Sequence, residues 1–245
     1  HRLEKEMDIN ILEGKNAFIS GATGGIGKSI AEALADSGCN LFLTASNTER
    51  LQDITNSLST RNIKVSSCTG DLNSKEDVYN IIEQAKKTFG NIDVVINSAG
   101  IFPNVSFFDS DDEALEKTFN INYRSAFMFA REFAKEMVSN EWGRIVNIGS
   151  SSAYAGFKET SMYCSTKHAL LGLSRAMHDE LKRYNVRTLC VSPSLTQNKM
   201  GLATKGQDYT TFLEPCDVAK YVVFAISFDS NIISEEIFLK RMITR

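Results

Sequence analysis

Short apolar runs alternate with longer amphipathic ones along almost the whole chain, and this rhythm constrains the fold more than any other feature. Runs such as N-A-F-I-S, N-L-F-L-T and D-V-V-I-N have no clearly polar side to turn to water. Strands of that kind must be covered on both faces, the condition of a parallel sheet between two helix layers. The spacing predicts strands over Asn16–Ser20, Asn40–Thr44, Ile63–Cys68, Asp93–Asn97, Arg144–Ile148, Arg187–Ser192 and Glu236–Met242. It predicts helices over Gly25–Ser37, Thr48–Thr60, Lys75–Phe89, Asp111–Ser139, Met162–Tyr184 and Cys216–Ser227. Right-handed crossovers then give a doubly wound α/β fold with helices on both faces of seven parallel strands. Pro103, Pro193 and Pro215 all fall between these elements, where a missing N–H costs nothing.

The chain is 245 residues long with no Pro/Gly-rich linker, repeat or low-complexity tract. It reads as one domain over 14–245 after an N-terminal extension, 1–13, whose opening H-R-L-E-K-E-M reads as leftover expression sequence or a frayed end. The net charge of −3 gives no basic field for nucleic acid. Apolar runs fall short of a membrane span, and no secretory signal pattern opens the chain. Cys39, Cys68, Cys164, Cys190 and Cys216 are odd in number and show no C-x-x-C spacing, which fits free thiols and a cytoplasmic location. His1, His168 and His178 form no metal-ligand pattern, and no metal is expected.

After the first strand comes S-G-A-T-G-G-I-G, Ser20 to Gly27. A glycine-rich turn leading into a helix N-terminus lets backbone N–H groups approach a pyrophosphate. On a first βα unit this points to a dinucleotide and a fold of Rossmann type, with Gly21, Thr23, Gly25, Ile26 and Gly27 as the cradle. The second strand ends T-A-S-N, with Ala45 where an acidic residue would select the 2′-hydroxyl of NAD(H). Ser46 and Asn47 can hydrogen-bond a 2′-phosphate, so NADP(H) is favoured and NAD(H) remains possible. Arg50 lies close in sequence, in the helix that follows.

Further signals sit at the carboxyl ends of later strands: N-S-A-G from Asn97, I-G-S-S-S from Ile148 and S-P-S from Ser192. Y-C-S-T-K, Tyr163 to Lys167, puts a phenol and an ammonium on one helix face. With D-L at Asp71–Leu72 and F-N-I-N around Asn122, the ordered set resembles the short-chain dehydrogenase/reductase family over about Gly14–Ala225. The pattern is nearest to 3-oxoacyl-carrier-protein reductase-like members.

The resemblance implies a tetrad of Asn122, Ser150, Tyr163 and Lys167. Ser150 is taken from three serines because it stands thirteen residues before Tyr163. Tyr163 is the expected general acid and base of a hydride transfer between cofactor and a carbonyl or secondary alcohol, its phenol pulled down in pKa by the Lys167 ammonium. Ser150 is expected to hold the substrate oxygen, Lys167 the nicotinamide ribose, and Asn122 a water linked to Lys167. Asp71 and Leu72 are expected at the adenine. Asn97, Ala99 and Gly100 are expected along the adenine-side ribose, and Pro193, Ser194 and Asn198 at the nicotinamide.

The chain departs from the family at Ser194, where a glycine is usual, at Asn198 in place of a threonine, and in its C-terminal ending. The segment S-N-E-W, Ser139–Trp142, is acidic where carrier-protein reductases tend to be basic, so an acyl carrier protein is a possible but not favoured partner. Phe102, Tyr154, Phe157, Met162, Leu195 and Met200 suggest a moderately apolar substrate pocket without fixed charge, and Lys205-Gly206-Gln207 a mobile tip beside it. Trp142 and the two internal histidines read as structural. Phe119, Phe127, Phe129 and Phe133 read as core or subunit interface, in a homodimer or homotetramer. A non-catalytic NADP(H)-binding regulator is the alternative from another class.

Overall fold

The computed structural model describes residues 9–202, 204 and 206–242. The first eight residues of the expected N-terminal extension, and Lys205 of the expected mobile tip, lie outside them. Seven strands form one sheet: β1 (Asn16–Ser20), β2 (Asn40–Ala45), β3 (Val65–Thr69), β4 (Val94–Asn97), β5 (Gly143–Ile148), β6 (Val186–Pro193) and β7 (Glu236–Leu239). Their order is β3-β2-β1-β4-β5-β6-β7, and every pairing is parallel. The helices are α1 (Gly25–Asp36), α2 (Thr48–Leu58), α3 (Lys75–Phe89), α4 (Asp112–Phe119), α5 (Ser125–Ser139), α6 (Ser161–Leu181), α7 (Lys199–Leu202) and α8 (Pro215–Ile226). This is the doubly wound Rossmann-type fold with helices on both faces. The strand order reverses between β1 and β4, which opens a crevice at their carboxyl ends.

The two-residue period of β1 shows why both faces are covered. Ala17 and Ile19 join Ile30 and Leu34 of α1 and Val218 and Val222 of α8 in one core layer. Phe18 points the other way, into Val78 and Ile81 of α3 and Phe129 and Phe133 of α5. Its ring lies 4.6 Å from that of Phe129 and 4.9 Å from that of Phe133. The four phenylalanines of the long helical segment therefore divide. Phe129 and Phe133 are core, while Phe119 and Phe127 stay partly exposed on the opposite face.

Most other bounds shift by one to three residues from the sequence expectation and α7 was not expected; three differences have a visible physical cause. β3 begins at Val65 rather than Ile63, because the Ile63 N–H closes a tight turn onto the Arg61 carbonyl at 2.8 Å. β7 stops at Leu239 because its partner β6 ends at Pro193, the last paired residue. The helix expected over Asp111–Ser139 is interrupted by a π-turn at Asn120–Arg124, with α4 before it and α5 after it.

β5 carries a fully buried arginine. Arg144 donates to the carbonyls of Ile226 at 3.2 Å, Gly143 at 2.9 Å, Asn185 at 3.3 Å and Phe228 at 2.8 Å, and to Asp229 Oδ1 at 2.9 Å. Its guanidinium also lies 4.2 Å from the Trp142 ring centroid, as does Lys15 Nζ. Trp142 packs against the core layer of β1 between these two cations. Burial brings the Arg144 pKa down to about 10. No helix among the described residues is long and apolar enough to cross a membrane.

Candidate active site

The glycine loop is shaped by close approaches that no larger residue permits. Gly21 has φ +68°, and a Cβ there would lie 2.7 Å from the Ala99 backbone. A Cβ on Gly27 would meet the Gly21 carbonyl oxygen at 2.2 Å, so α1 starts hard against the loop. A Cβ on Gly25 would come within 3.0 Å of Asn198 Cβ and 3.4 Å of Pro215 Cγ, so the segment after β6 closes over the head of α1. Thr23 and Ile26 are partly exposed between these points. A glycine cradle at a helix N-terminus fits the pyrophosphate of a nicotinamide dinucleotide.

At the end of β2, Ala45 is buried and Ser46 and Asn47 are exposed. Asn47 caps α2, its Oδ1 accepting the Arg50 N–H at 2.8 Å. Arg50, which the sequence left aside, reaches back: its Nη2 donates to the Thr23 carbonyl at 3.0 Å, bringing a guanidinium to the glycine loop. Asp71 is exposed and forms a local turn by accepting the Asn73 N–H at 2.9 Å, whereas Leu72 belongs to the core. Asn97 is buried, and its Nδ2 donates to Asn147 Oδ1 at 2.8 Å and to the Ala126 carbonyl at 3.4 Å. Its side chain ties β4 to β5 and α5, so a part in lining a ribose falls to its backbone.

The four tetrad residues converge beyond the ends of β4 and β5. Tyr163 and Lys167 lie on the buried face of α6. Lys167 Nζ donates to the Ile148 carbonyl at 2.8 Å and lies 5.6 Å from the Tyr163 ring centroid. Phe102 packs edge-on against that ring, with centroids 4.8 Å apart. Ser150 Oγ accepts the Ser152 N–H at 3.1 Å, which caps a 3-10 turn at Ser151–Ala153 and fixes the serine. Asn122 sits in the π-turn. Its Oδ1 accepts the Ile101 N–H at 2.8 Å, and its Nδ2 donates to the Ile101 carbonyl at 3.0 Å and to Thr166 Oγ1 at 3.1 Å. A Cβ on Gly100 would stand 3.5 Å from Asn122 Oδ1 and 3.8 Å from Lys167 Nζ, so both polar groups face one point above that glycine.

The electrostatics correct the sequence expectation for the phenol. Burial pushes the Tyr163 pKa up to about 12, with the Ser150 hydroxyl working the other way. Burial also takes Lys167 down to about 8. The expected net lowering of the phenol does not occur: Lys167 points one N–H at the Ile148 carbonyl and lies over the ring, and desolvation of the phenolate dominates.

The remaining expected residues are scattered. Met162 is buried behind Tyr163, and Pro193 ends β6. Ser194 Oγ is buried without a hydrogen-bond partner among the described residues. Asn198 Oδ1 accepts the Gly201 N–H at 2.8 Å and so caps α7, on which Met200 is half-buried. Tyr154, expected at the substrate, is turned to the sheet edge, where its hydroxyl donates to Glu236 Oε2 at 3.1 Å and its ring stacks on Phe238 at 5.0 Å. Phe157 is exposed beside Phe107 and Phe108, a pair the sequence reading passed over. Their signal was two adjacent aromatics in the loop after N-S-A-G, with no periodic face to receive them. Thr166, which orients Asn122, was hidden among the small residues between Tyr163 and Lys167. Among the described residues no group of acidic, histidine and cysteine side chains is arranged to hold a metal, and the five cysteines are free thiols.

Comparison with known proteins gives a consistent setting. A family model for short chain dehydrogenases matches residues 15–208. An uncharacterized oxidoreductase of Staphylococcus aureus strain USA300 is 29% identical over 232 residues, covering 95% of this chain and 99% of its own. One from Staphylococcus saprophyticus is 28% identical over 230 residues, covering 94% and 98%. Among solved structures, a putative short-chain alcohol dehydrogenase from Sinorhizobium meliloti 1021 superposes with a TM-score of 0.85 at 25% identity, covering 93% of this chain and 94% of that one. A metagenomic short-chain oxidoreductase in complex with NADP superposes with a TM-score of 0.83 at 23% identity, covering 95% and 99%, and supports the fold.

Proposed function

The chain belongs to the short-chain dehydrogenase family, and from that premise we propose that it is an oxidoreductase acting on a carbonyl or secondary alcohol with Tyr163 as general acid and base. The observation that carries this reading is the convergence of Ser150, Tyr163, Lys167 and Asn122 beside a glycine cradle. A nicotinamide cofactor held on Gly21, Gly25 and Gly27 would supply the hydride. In reduction, Tyr163 Oη gives its proton to the carbonyl oxygen, and in oxidation it takes the alcohol proton. A phenol raised to about 12 is fully protonated at neutral pH, which suits the reducing direction. Ser150 Oγ positions the same oxygen. Asn122 and Lys167, facing one point above Gly100, suit a bridging water that returns the proton to the site.

NADP(H) is the favoured cofactor in this reading, with NAD(H) the alternative. No carboxylate ends β2 to repel a 2′-phosphate, and the Arg50 guanidinium lies against the glycine loop, able to attract one. A 3-oxoacyl-carrier-protein substrate is the weaker form of the proposal. Lys182 is already paired with Asp179 at 2.6 Å and Arg183 lies over the Tyr184 ring at 4.7 Å, so neither of these two cations stands free to make up for the acidic Ser139–Trp142 segment. The row Phe119, Tyr123 and Phe127, continued by Arg131 over the Phe127 ring, supports association into a homodimer or homotetramer. The free thiols suit a cytoplasmic protein.

The test is a panel of ketones, aldehydes and 3-oxoacyl thioesters with NADPH and NADH side by side. Turnover with NADPH, lost in Tyr163→Phe while NADPH still binds, is the expected result. Tight NADPH binding with no turnover on any substrate would instead support a non-catalytic regulator.

A further inference from the structure

The loop that follows β4 is pinned at two points. Phe102 packs edge-on against Tyr163 at 4.8 Å, and the Val105 N–H donates to the Glu159 carbonyl at 3.0 Å. The loop therefore runs from the catalytic phenol to the segment that opens α6. Just past the second pin, a 3-10 turn capped by Ser106 presents Phe107 and Phe108 to solvent, 72% and 93% exposed. Phe157 stands on the facing segment, 54% exposed. The three rings wall a cleft of about 350 Å³ whose rim includes Ser161 in the first turn of α6. That volume is within the range of small-ligand sites, about 300–1,000 Å³. Contiguous exposed phenyl rings on a soluble protein mark a surface that something apolar covers.

Its polar lining is electrically quiet. Lys158 and Glu159 pair with each other at 3.3 Å, and the other polar groups are the hydroxyls of Ser106 and Ser161. A phosphate-bearing acyl arm would find no unpaired cation there. We propose that the substrate is an uncharged carbonyl or alcohol carrying a bulky apolar ring system, and that Phe107, Phe108 and Phe157 receive that group while the oxygen reaches Tyr163. This rests on the oxidoreductase reading above.

The test compares 1-decalone, 2-butanone and acetoacetyl-CoA as substrates with NADPH, in wild type and in a Phe107→Ala/Phe108→Ala variant, with the oligomeric state of both measured. In wild type, 1-decalone is expected to exceed the other two in kcat/KM by about a hundredfold or more. The variant is expected to lower the ratio of kcat/KM for 1-decalone to that for 2-butanone by about tenfold, with the oligomeric state preserved. Preference for acetoacetyl-CoA, an unchanged ratio, or dissociation of the variant into smaller species would overturn the proposal, the last by making the rings a contact between copies. If NADPH binds but no ketone is reduced, the catalytic reading fails. Equilibrium binding of 1-decalone to the NADP+-loaded protein then still decides the cleft: binding weakened about tenfold by the double substitution supports it, and no binding to wild type sinks it.

Discussion

Lys167 Nζ lies over the ring of Tyr163, 5.6 Å from its centroid, and gives its hydrogen to the Ile148 carbonyl 2.8 Å away. It is a buried ammonium without a carboxylate partner in that contact, and burial lowers its pKa from 10.5 to about 8. That difference corresponds to roughly 3 kcal/mol of cost to the folded state at neutral pH. Below pH 8 the group is charged folded and unfolded, and the cost is present in full. Between pH 8 and 10.5 the folded protein sheds the proton while the unfolded chain keeps it, so stability rises with pH. Lys167→Met removes that cost but takes a donor from the buried Ile148 carbonyl, worth about 1–3 kcal/mol, so the variant is expected to melt near the wild-type temperature at pH 7, to fall below it as pH rises across that window, and to lose turnover. Thermal melts at pH 7, 9 and 10.5 read this directly, and a variant that melts well below wild type at pH 7 would contradict it.

Tyr163→Phe removes one oxygen from a residue whose ring packs against Phe102. The packing survives, so the melting temperature should stay within a few degrees and NADPH should still quench or shift protein fluorescence. Turnover should fall by about 10²–10⁴, the usual worth of a positioned proton donor. Retention of more than a tenth of the wild-type rate would assign the proton to another group.

Arg50→Gln takes the guanidinium from the glycine loop and leaves the Asn47 cap of α2 intact, because the cap uses the Arg50 backbone N–H. Binding of 2′,5′-ADP should weaken by about tenfold or more, as for loss of a charge-assisted contact, while 5′-AMP binding changes little. Titration calorimetry with both nucleotides separates the two outcomes. Equal losses for both would mean that Arg50 braces the loop without recognising the phosphate.

Arg144→Met replaces a fully buried guanidinium by an apolar chain of similar length. It strands the carbonyls of Ile226 and Phe228 and takes from Asp229 one partner, leaving it Asn185 at 3.1 Å and Arg187 at 3.7 Å. Asp229 is half-exposed, so the loss comes from the stranded carbonyls, about 1–3 kcal/mol each where water does not reach them. Denaturant unfolding should show a loss of that order, and a loss below about 1 kcal/mol would mean that relaxation or water re-satisfies the stranded carbonyls.

The sheet was legible because its evidence is local. A run such as V-V-I-N needs covering on both faces wherever it lies, and the intervals between runs left room only for crossover helices. The convergence of Asn122, Ser150, Tyr163 and Lys167 was legible through ordered motifs. Contacts made by side chains that leave their own element were not. Arg50 crosses to Thr23, Tyr154 turns to Glu236, and Phe107 and Phe108 sit on a turn with no period to read. The phenol's electrostatics also escaped the sequence, because the sign of its shift depends on burial against the direction in which an ammonium points. Neither quantity is set by a four-residue spacing.

The π-turn at Asn120–Arg124 carries a consequence for how this chain tolerates change in length. It holds the equivalent of one surplus residue in an otherwise regular helical run, and such bulges occur frequently at functional sites. Deleting a single residue from it would let α4 and α5 fuse into one unbroken α-helix, a local gain in regularity. Because the wide turn already absorbs the extra residue, the same deletion would leave α4 and α5 close to their present phase and remove only the bulge itself. Asn122 would lose its place against the Ile101 backbone, while the Phe129 and Phe133 rings stayed on Phe18. Here the irregular backbone is a contained insertion: it turns one polar side chain into the site without moving the aromatic core further along the same helical run.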